Sequence, residues 1–284
     1  MAPTDRKMTL SELRRRYVKD GRSLPRNLEA AMRADGRSGM ANLLQSVEQR
    51  RYANRAEGQR LRTMLQVETV HWKSGLTLIA GIDEAGMAPL AGPVAAAAVI
   101  LAPGTRLTRV DDSKKLSEEE REHLAPIIRE QARAWAVAFV EPDEIDRINI
   151  YRAGLLAMQK AVLALSVRPE HLLIDGRMLR ELDIPQQRIF GGDGKSLSIA
   201  AASILAKTAR DARMREYDLA FPGYGFAKHK GYSVPEHWAA LKKLGPCPIH
   251  RRSFAPVREA LKPGEPGALP RHEQLGLFPQ KGAR

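Results

Sequence analysis

The sequence has one cysteine, Cys247, in 284 residues. An intramolecular disulfide and a cysteine-rich zinc site are thereby excluded, and the composition fits a reducing cytoplasm in which that thiol simply packs. Long apolar runs are missing too. The longest, Val94 to Ala102, is too short to cross a bilayer, and Met1 to Met8 has no apolar stretch of the kind that opens a secretory signal. A water-soluble, cytoplasmic protein with no membrane-spanning part is expected and, as nothing calls for oligomerisation, a monomer. Negative charge is scarce. Asp and Glu number 33 against 46 Lys and Arg, a formal net charge of +13. That surplus points to a polyanion, nucleic acid or an anionic membrane surface, and leaves the reaction open.

What is present is a 43% hydrophobic content, enough for a packed core, in a chain long enough for one ordinary domain and a smaller appended piece. Residues 1–75 hold 16 Lys and Arg against 8 Asp and Glu, so this quarter supplies +8 of the charge. Its Ser11-Glu12-Leu13 start, its Leu43-Leu44-x-x-Val47 spacing and the Arg-rich stretch from Gln49 to Leu65 predict two or three helices, with breaks at Gly21, Pro25 and Gly36 to Gly39. From Leu76 the pattern changes to short apolar runs alternating with helical ones. Strands are predicted over 76–82, 94–101, 135–140 and 172–174, with a fifth at 188–190. Helices are predicted from a Ser117-Glu118-Glu119-Glu120 capping box with a kink at Pro126, from Asp143 through Ile150 to Leu165, and from Ser198 to Tyr217. This order predicts an α/β fold, a mixed central sheet flanked by helices, behind a small N-terminal helical extension. The expected domains are 1–75, 76–258 and a Pro- and Gly-rich tail, 259–284, that reads as a linker.

Three acidic stations stand out. Asp83-Glu84 closes one predicted strand, Asp175 closes another, and Asp193 sits in a glycine-flanked turn before the long helix; ligands gather at such strand ends in α/β sheets. Taken singly, each is most simply an acidic turn facing solvent. Neighbouring strand residues also point to opposite faces, so Asp83 and Glu84 share a site only where the strand ends or bends, as Gly86 would permit. A convergent set of carboxylates would repel itself unless cations occupied its centre. Cations held by oxygen ligands activate water and stabilise the leaving oxygen of a phosphodiester, so acidic stations in a cationic chain predict metal-dependent phosphodiester chemistry.

Gly194-Lys195-Ser196 does not make a phosphate loop, because the glycine required five positions before Gly194 is Ile189. Tyr224, His229, Lys230 and Tyr232, then His250-Arg251-Arg252, set aromatics among cations; they read as a stacking platform beside a phosphate track or, equally, as a solvated basic loop. Ser113-Lys114-Lys115 is either a phosphate contact or the polar lead-in to the Ser117 cap.

As a set, the motifs resemble the ribonuclease HII family. Over roughly residues 76–258 they occur in family order: Gly81-Ile82-Asp83-Glu84-Ala85-Gly86, Pro89-Leu90-Ala91-Gly92-Pro93, Asp112-Ser113-Lys114-Lys115-Leu116-Ser117, Ile174-Asp175-Gly176, Ile199 to Lys207, Tyr224 to Tyr232 and Arg251-Arg252-Ser253-Phe254. The resemblance implies a ribonuclease H-like fold and endonucleolytic hydrolysis of RNA in RNA-DNA hybrids and at ribonucleotides embedded in duplex DNA. It implies Mn2+ or Mg2+ as cofactor, two metals and 5′-phosphate products. Carried over by position, Asp83, Glu84, Asp175 and Asp193 are the catalytic, metal-binding carboxylates and Tyr232 stacks on the sugar after the scissile ribonucleotide; Lys114 and Lys115 are expected as substrate contacts on their own phosphate-contact reading.

The family usually has Gly-Arg-Gly after the acidic pair, a substrate-binding loop whose backbone senses the ribose 2′-hydroxyl; here it is Gly86-Met87-Ala88. A Cβ at Ala88 would penalise a positive φ, so hybrid cleavage is expected ahead of strict single-ribonucleotide incision. A non-catalytic RNA-DNA hybrid-binding protein is the alternative. The N-terminal extension resembles, more loosely, the extension of some bacterial members, and its charge suits duplex binding. In the tail, Gln274-Leu275-Gly276-Leu277-Phe278 resembles the peptide that docks on the bacterial sliding clamp, with Gln274, Leu275, Leu277 and Phe278 as contacts. Packing of that segment back onto the domain is the other reading.

Overall fold

A computed structural model describes residues 8–261. The described residues form two compact units, divided between Thr63 and Met64. In the first, α1 (Leu10–Arg14) starts at Thr9, whose hydroxyl accepts from the Glu12 N–H while the Glu12 carboxylate accepts from the Thr9 N–H. A wider turn, Arg15–Lys19, continues it, followed by α2 (Arg26–Ala34) behind Pro25 and the long α3 (Ser38–Met64). Gly21 takes φ 71° and Pro25 precedes α2 as expected, but the third break falls at residues 35–37, and Ser38 and Gly39 already belong to α3. Leu43, Leu44 and Val47 are buried with Leu13, Tyr17, Leu24, Met32 and Met40, a core of this unit's own.

The second unit opens on α4 (Gln66–Lys73), so the compact division falls ahead of the composition change at 75–76. The reason is packing: Val67 and Trp72 of α4 lie against Ile79, Leu173, Ile189 and Ile199. Then follow β1 (Ile79–Ala85), β2 (Val94–Leu101), α5 (Glu118–Gln131), β3 (Ala132–Val140), α6 (Pro142–Ile148), α7 (Ile150–Leu163), β4 (His171–Asp175), β5 (Gln186–Ile189), α8 (Leu197–Ala220), α9 (Phe226–His229), α10 (Pro235–Leu244) and α11 (Ala255–Ala260). Two predicted helices differ in detail. Pro126 lies inside an unbroken α5, capped by Ser117 and Glu120 as expected, and the run from Asp143 divides because Asn149, at φ 71°, ends α6 and caps α7.

The sheet is mixed, in the order β3-β2-β1-β4-β5. Strands β1, β2 and β3 pair antiparallel, and β1, β4 and β5 parallel. Helix α7 packs on one face through Ala80, Ile82, Ala96 and Ala98, while α8 packs on β1 and β2 from the other, as strand alternation requires. A Cβ at Gly81 would overlap the backbone of Ser198 and Ile199, so only glycine lets α8 lie this close to β1. No helix among the described residues is long and apolar enough to cross a membrane.

Candidate active site

Register brings the acids together. Ile82 pairs with Ile174, so the next residue on each of these parallel strands is an aspartate, Asp83 on β1 and Asp175 on β4. Asp175 in turn pairs with Ile189 at the end of β5, from which the chain runs through left-handed Gly191 into the turn Gly192–Gly194 that carries Asp193. The Gly192 N–H donates to Asp175 Oδ1 at 2.9 Å and ties that turn to β4. One carboxylate oxygen each of Asp83, Asp175 and Asp193 lies within 4.8 Å of the others.

Burial drives the Asp83 pKa well above the usual carboxylate range, and the charges of Glu84 and Asp175 add to it; hydrogen bonds from Ser203 of α8 and from the Glu84 N–H oppose it. Asp193 is also raised by burial, against the ammonium of Lys114, which sits 3.1 Å from its Oδ2. The donors fit a hard divalent cation. They are all oxygens, they converge, and a cation among them would offset the burial and mutual repulsion that raise Asp83.

Glu84 stands apart from the three. Strand β1 continues through Ala85, so alternation turns Glu84 to the α7 side, where Arg177 Nη1 lies 3.5 Å from its Oε1. Burial raises its pKa, and Arg177 is the main group opposing that shift. The Arg177 guanidinium stacks under the Tyr151 ring and, with the Met87 thioether, fills the space over Gly154.

Two buried arginines hold the loop from Gly86 to Pro93 by its carbonyls. Arg251 donates to Gly86, Met87 and Gly92 oxygens at 2.6, 3.0 and 3.0 Å, and Arg210 of α8 donates to Ala91 and Pro93 at 3.1 and 2.9 Å. With trans peptides, carbonyls of Gly86 and Met87 aimed at Arg251 leave the Met87 and Ala88 N–H groups facing away from it. Gly86 carries the positive φ, 91°, whereas Ala88 does not belong with Arg109, Asn149 and Lys230, the described non-glycine residues on that side. The strain expected at Ala88 is therefore absent. It is exposed and precedes Pro89, which favours extended backbone.

Tyr232 is 38% exposed, with Lys207 Nζ and Arg210 Cζ of α8 5.7 and 5.9 Å from its ring centre. Lys115 turns instead to Asp111, at 3.1 Å. The expected basic-aromatic platform is largely interior: Tyr224, Lys230, His250 and Arg251 are buried, leaving Tyr232 as the exposed ring. Their polar atoms are spent on backbone, on each other and, for Lys230, on Glu118 at 2.9 Å; His237 likewise bonds the Tyr232 carbonyl and His250. The tail residues Gln274, Leu275, Leu277 and Phe278 lie outside the described residues. Ser203, Lys207 and Arg210 were legible as polar positions three or four apart on an Ala-rich helix; Arg177 had no such signal.

A family model described as Ribonuclease HII matches residues 80–257. A Ribonuclease HII of Anaeromyxobacter sp. (strain Fw109-5) is 56% identical over 284 residues, 100% of this chain and 89% of its own. Another, of Myxococcus xanthus (strain DK1622), is 56% identical over 277 residues, 97% of this chain and 94% of its own. Among solved structures, ribonuclease H2 from Pyrococcus horikoshii OT3 matches with a TM-score of 0.57 at 25% identity, over 64% of this chain and 96% of that one. The RNase HII of the Archaeoglobus fulgidus PCNA:RNase HII complex gives a TM-score of 0.56 at 29% identity, over 65% and 97%.

Proposed function

Since the chain belongs to the ribonuclease HII family, and is thus an enzyme of the ribonuclease H class, we propose that it hydrolyses RNA in RNA-DNA hybrids and cuts at ribonucleotides embedded in duplex DNA, leaving 5′-phosphate ends. The observation that carries this reading is the convergence of Asp83, Asp175 and Asp193. These three would hold the ions, with Glu84 as the fourth acid at the edge of the group. Bound there, a pair of Mg2+ or Mn2+ ions would supply an activated water and offset charge on the departing 3′-oxygen. Lys114, drawn to Asp193 here, is free to turn to a phosphate once a cation neutralises that carboxylate. Tyr232 stacks on the sugar beyond the cut, with the charges of Lys207 and Arg210 beside it for the phosphate track. The Met87 and Ala88 N–H groups, set by Arg251, read the ribose 2′-hydroxyl through backbone alone, so replacing the loop's Arg and second Gly leaves that function intact.

The non-catalytic alternative is disfavoured by cost. Carboxylates buried together with raised pKa destabilise a fold, and a protein that only binds hybrids gains nothing from them. The test is cleavage of two labelled duplexes, one with a single ribonucleotide and one with a four-ribonucleotide tract, in Mg2+ or Mn2+, with Asp83→Asn as control. Both are cut, and the variant cuts neither. Cleavage of the tract alone would refute junction reading by the loop, and no cleavage with either metal would favour the binding protein.

The basic first unit is an accessory surface for duplex phosphates, and the tail peptide from Gln274 to Phe278 docks on the sliding clamp. The Archaeoglobus fulgidus relative was solved in complex with PCNA, which supports a clamp as partner. Equal recovery of bacterial clamp by full-length protein and by protein lacking residues 270–284 would refute the tail's part.

A further inference from the structure

Glu68 of α4 is 1% exposed, yet it comes from the stretch that composition groups with the basic extension. Its Oε1 accepts from Ser196 Oγ at 2.6 Å, from Ser198 Oγ at 2.7 Å and from the Ser198 N–H at 3.0 Å. Ser196 is the N-cap of α8, and its hydroxyl oxygen accepts from the Ile199 N–H while its proton goes to Glu68. A carboxylate from a separate helix thus sits at the positive end of the 24-residue α8 and serves its first-turn donors.

That turn of α8 bears on two of the acids. On its N-terminal side, the N–H groups of Lys195 and Ser196 close on the Gly192 carbonyl at 2.9 and 2.8 Å and shape the turn that presents Asp193. On its inner side, Ser198 and Ile199 lie against Gly81, two residues before Asp83, and Ser203 further along α8 hydrogen-bonds Asp83. Shifting the start of α8 would therefore move Asp193 relative to Asp83. Without Glu68, three buried donors lose their acceptor; the Ser196 and Ser198 hydroxyls, 3.1 Å apart, can satisfy one of them between themselves, and the turn must move to find acceptors for the rest.

We propose that Glu68 is a positioning residue for the metal-binding carboxylates, acting through Ser196 and Ser198; this rests on the metal-dependent reading above. Glu68 touches neither substrate nor metal. It sets where α8 begins, and with that the spacing of Asp193 from Asp83. Helix α4 is then part of the catalytic machinery rather than the end of an accessory module.

The test uses full-length Glu68→Ala and Glu68→Gln. Mn2+ binding is measured by calorimetry without substrate, hydrolysis of a hybrid is titrated against Mn2+, and thermal unfolding is followed without metal. The Mn2+ dissociation constant rises about tenfold or more in Glu68→Ala, the usual scale for groups that orient metal ligands. It rises less in Glu68→Gln, which keeps an acceptor oxygen and is the deciding variant if the alanine protein does not fold. The Mn2+ concentration for half-maximal hydrolysis shifts in parallel. If the folded variants bind Mn2+ as tightly as the unsubstituted protein and only the melting temperature falls, Glu68 is a helix cap and nothing more. If the unsubstituted protein binds no Mn2+, or Asp83→Asn binds it equally well, the carboxylate reading itself fails and takes this one with it.

Discussion

His250 sets an acid limit on the stability of the second unit. It is 1% exposed, and the Cys247 N–H donates to its Nδ1 at 2.9 Å, a shorter contact than the 3.3 Å from Nδ1 to the Cys247 carbonyl, which favours the ring proton on Nε2. That proton goes to His237 Nε2 at 3.1 Å, leaving His237 to donate from Nδ1 to the Tyr232 carbonyl at 2.9 Å. Both rings are neutral in this relay, and a second proton on His250 would break it. Burial, then the neighbouring His237, pushes the His250 pKa down from 6.5 to about 3. The unfolded chain therefore takes up a proton below about pH 6.5 that the folded chain refuses until about pH 3, so this contribution is complete above 6.5 and is lost as pH falls. At pH 5.0 the loss is about 2 kcal/mol, from 1.5 pH units at about 1.36 kcal/mol each. Urea unfolding at pH 7.5 and 5.0 measures it through Trp72, Trp135 and Trp238, all in the second unit. His250→Gln is less stable at both pH values, but its stability falls by about 2 kcal/mol less between them. The raised carboxylates Asp83 and Asp193 titrate with the opposite sign and the lowered His171 with the same sign in both proteins, so the difference reports His250 together with its partner His237. Equal pH dependence in the two proteins would refute the neutral relay.

Arg251→Lys cannot span the Gly86, Met87 and Gly92 carbonyls with one ammonium; it lowers stability by about 2–4 kcal/mol and raises KM for a single-ribonucleotide duplex more than it lowers kcat, read by urea unfolding and steady-state kinetics. Ala88→Gly changes the ratio of single-ribonucleotide to tract cleavage by less than about twofold, because Ala88 occupies no conformation that glycine alone would reach. Asp83→Asn removes one of the mutually repelling acids and raises the metal-free melting temperature by about 2–4 °C, while Mn2+ no longer raises it further, as differential scanning calorimetry would show.

The parts of this molecule that were legible beforehand are those set by local pattern. The all-apolar run from Val94 to Leu101 reads as a strand because it is short and apolar throughout, and the Ser117 cap reads as a helix start because its partner Glu120 is three residues away. The acidic stations were legible through their type and their places at strand ends. What pattern could not provide is register. Nothing in 79–85 or 171–175 says that Ile82 faces Ile174, and it is that pairing that puts Asp83 beside Asp175. Alternation along β1 then separates Glu84 from the residue next to it, so adjacency in sequence, which suggested a pair, is what sends the two acids to opposite faces. Arg210 and Arg251 show the converse. Composition counts them with the charge that binds nucleic acid, but both are fully buried, and every hydrogen bond Arg251 donates, with two from Arg210, goes to the loop that follows the acids. Only the long-range packing of α8 and the 249–254 segment against that loop distinguishes an arginine that holds the protein from one that holds the substrate.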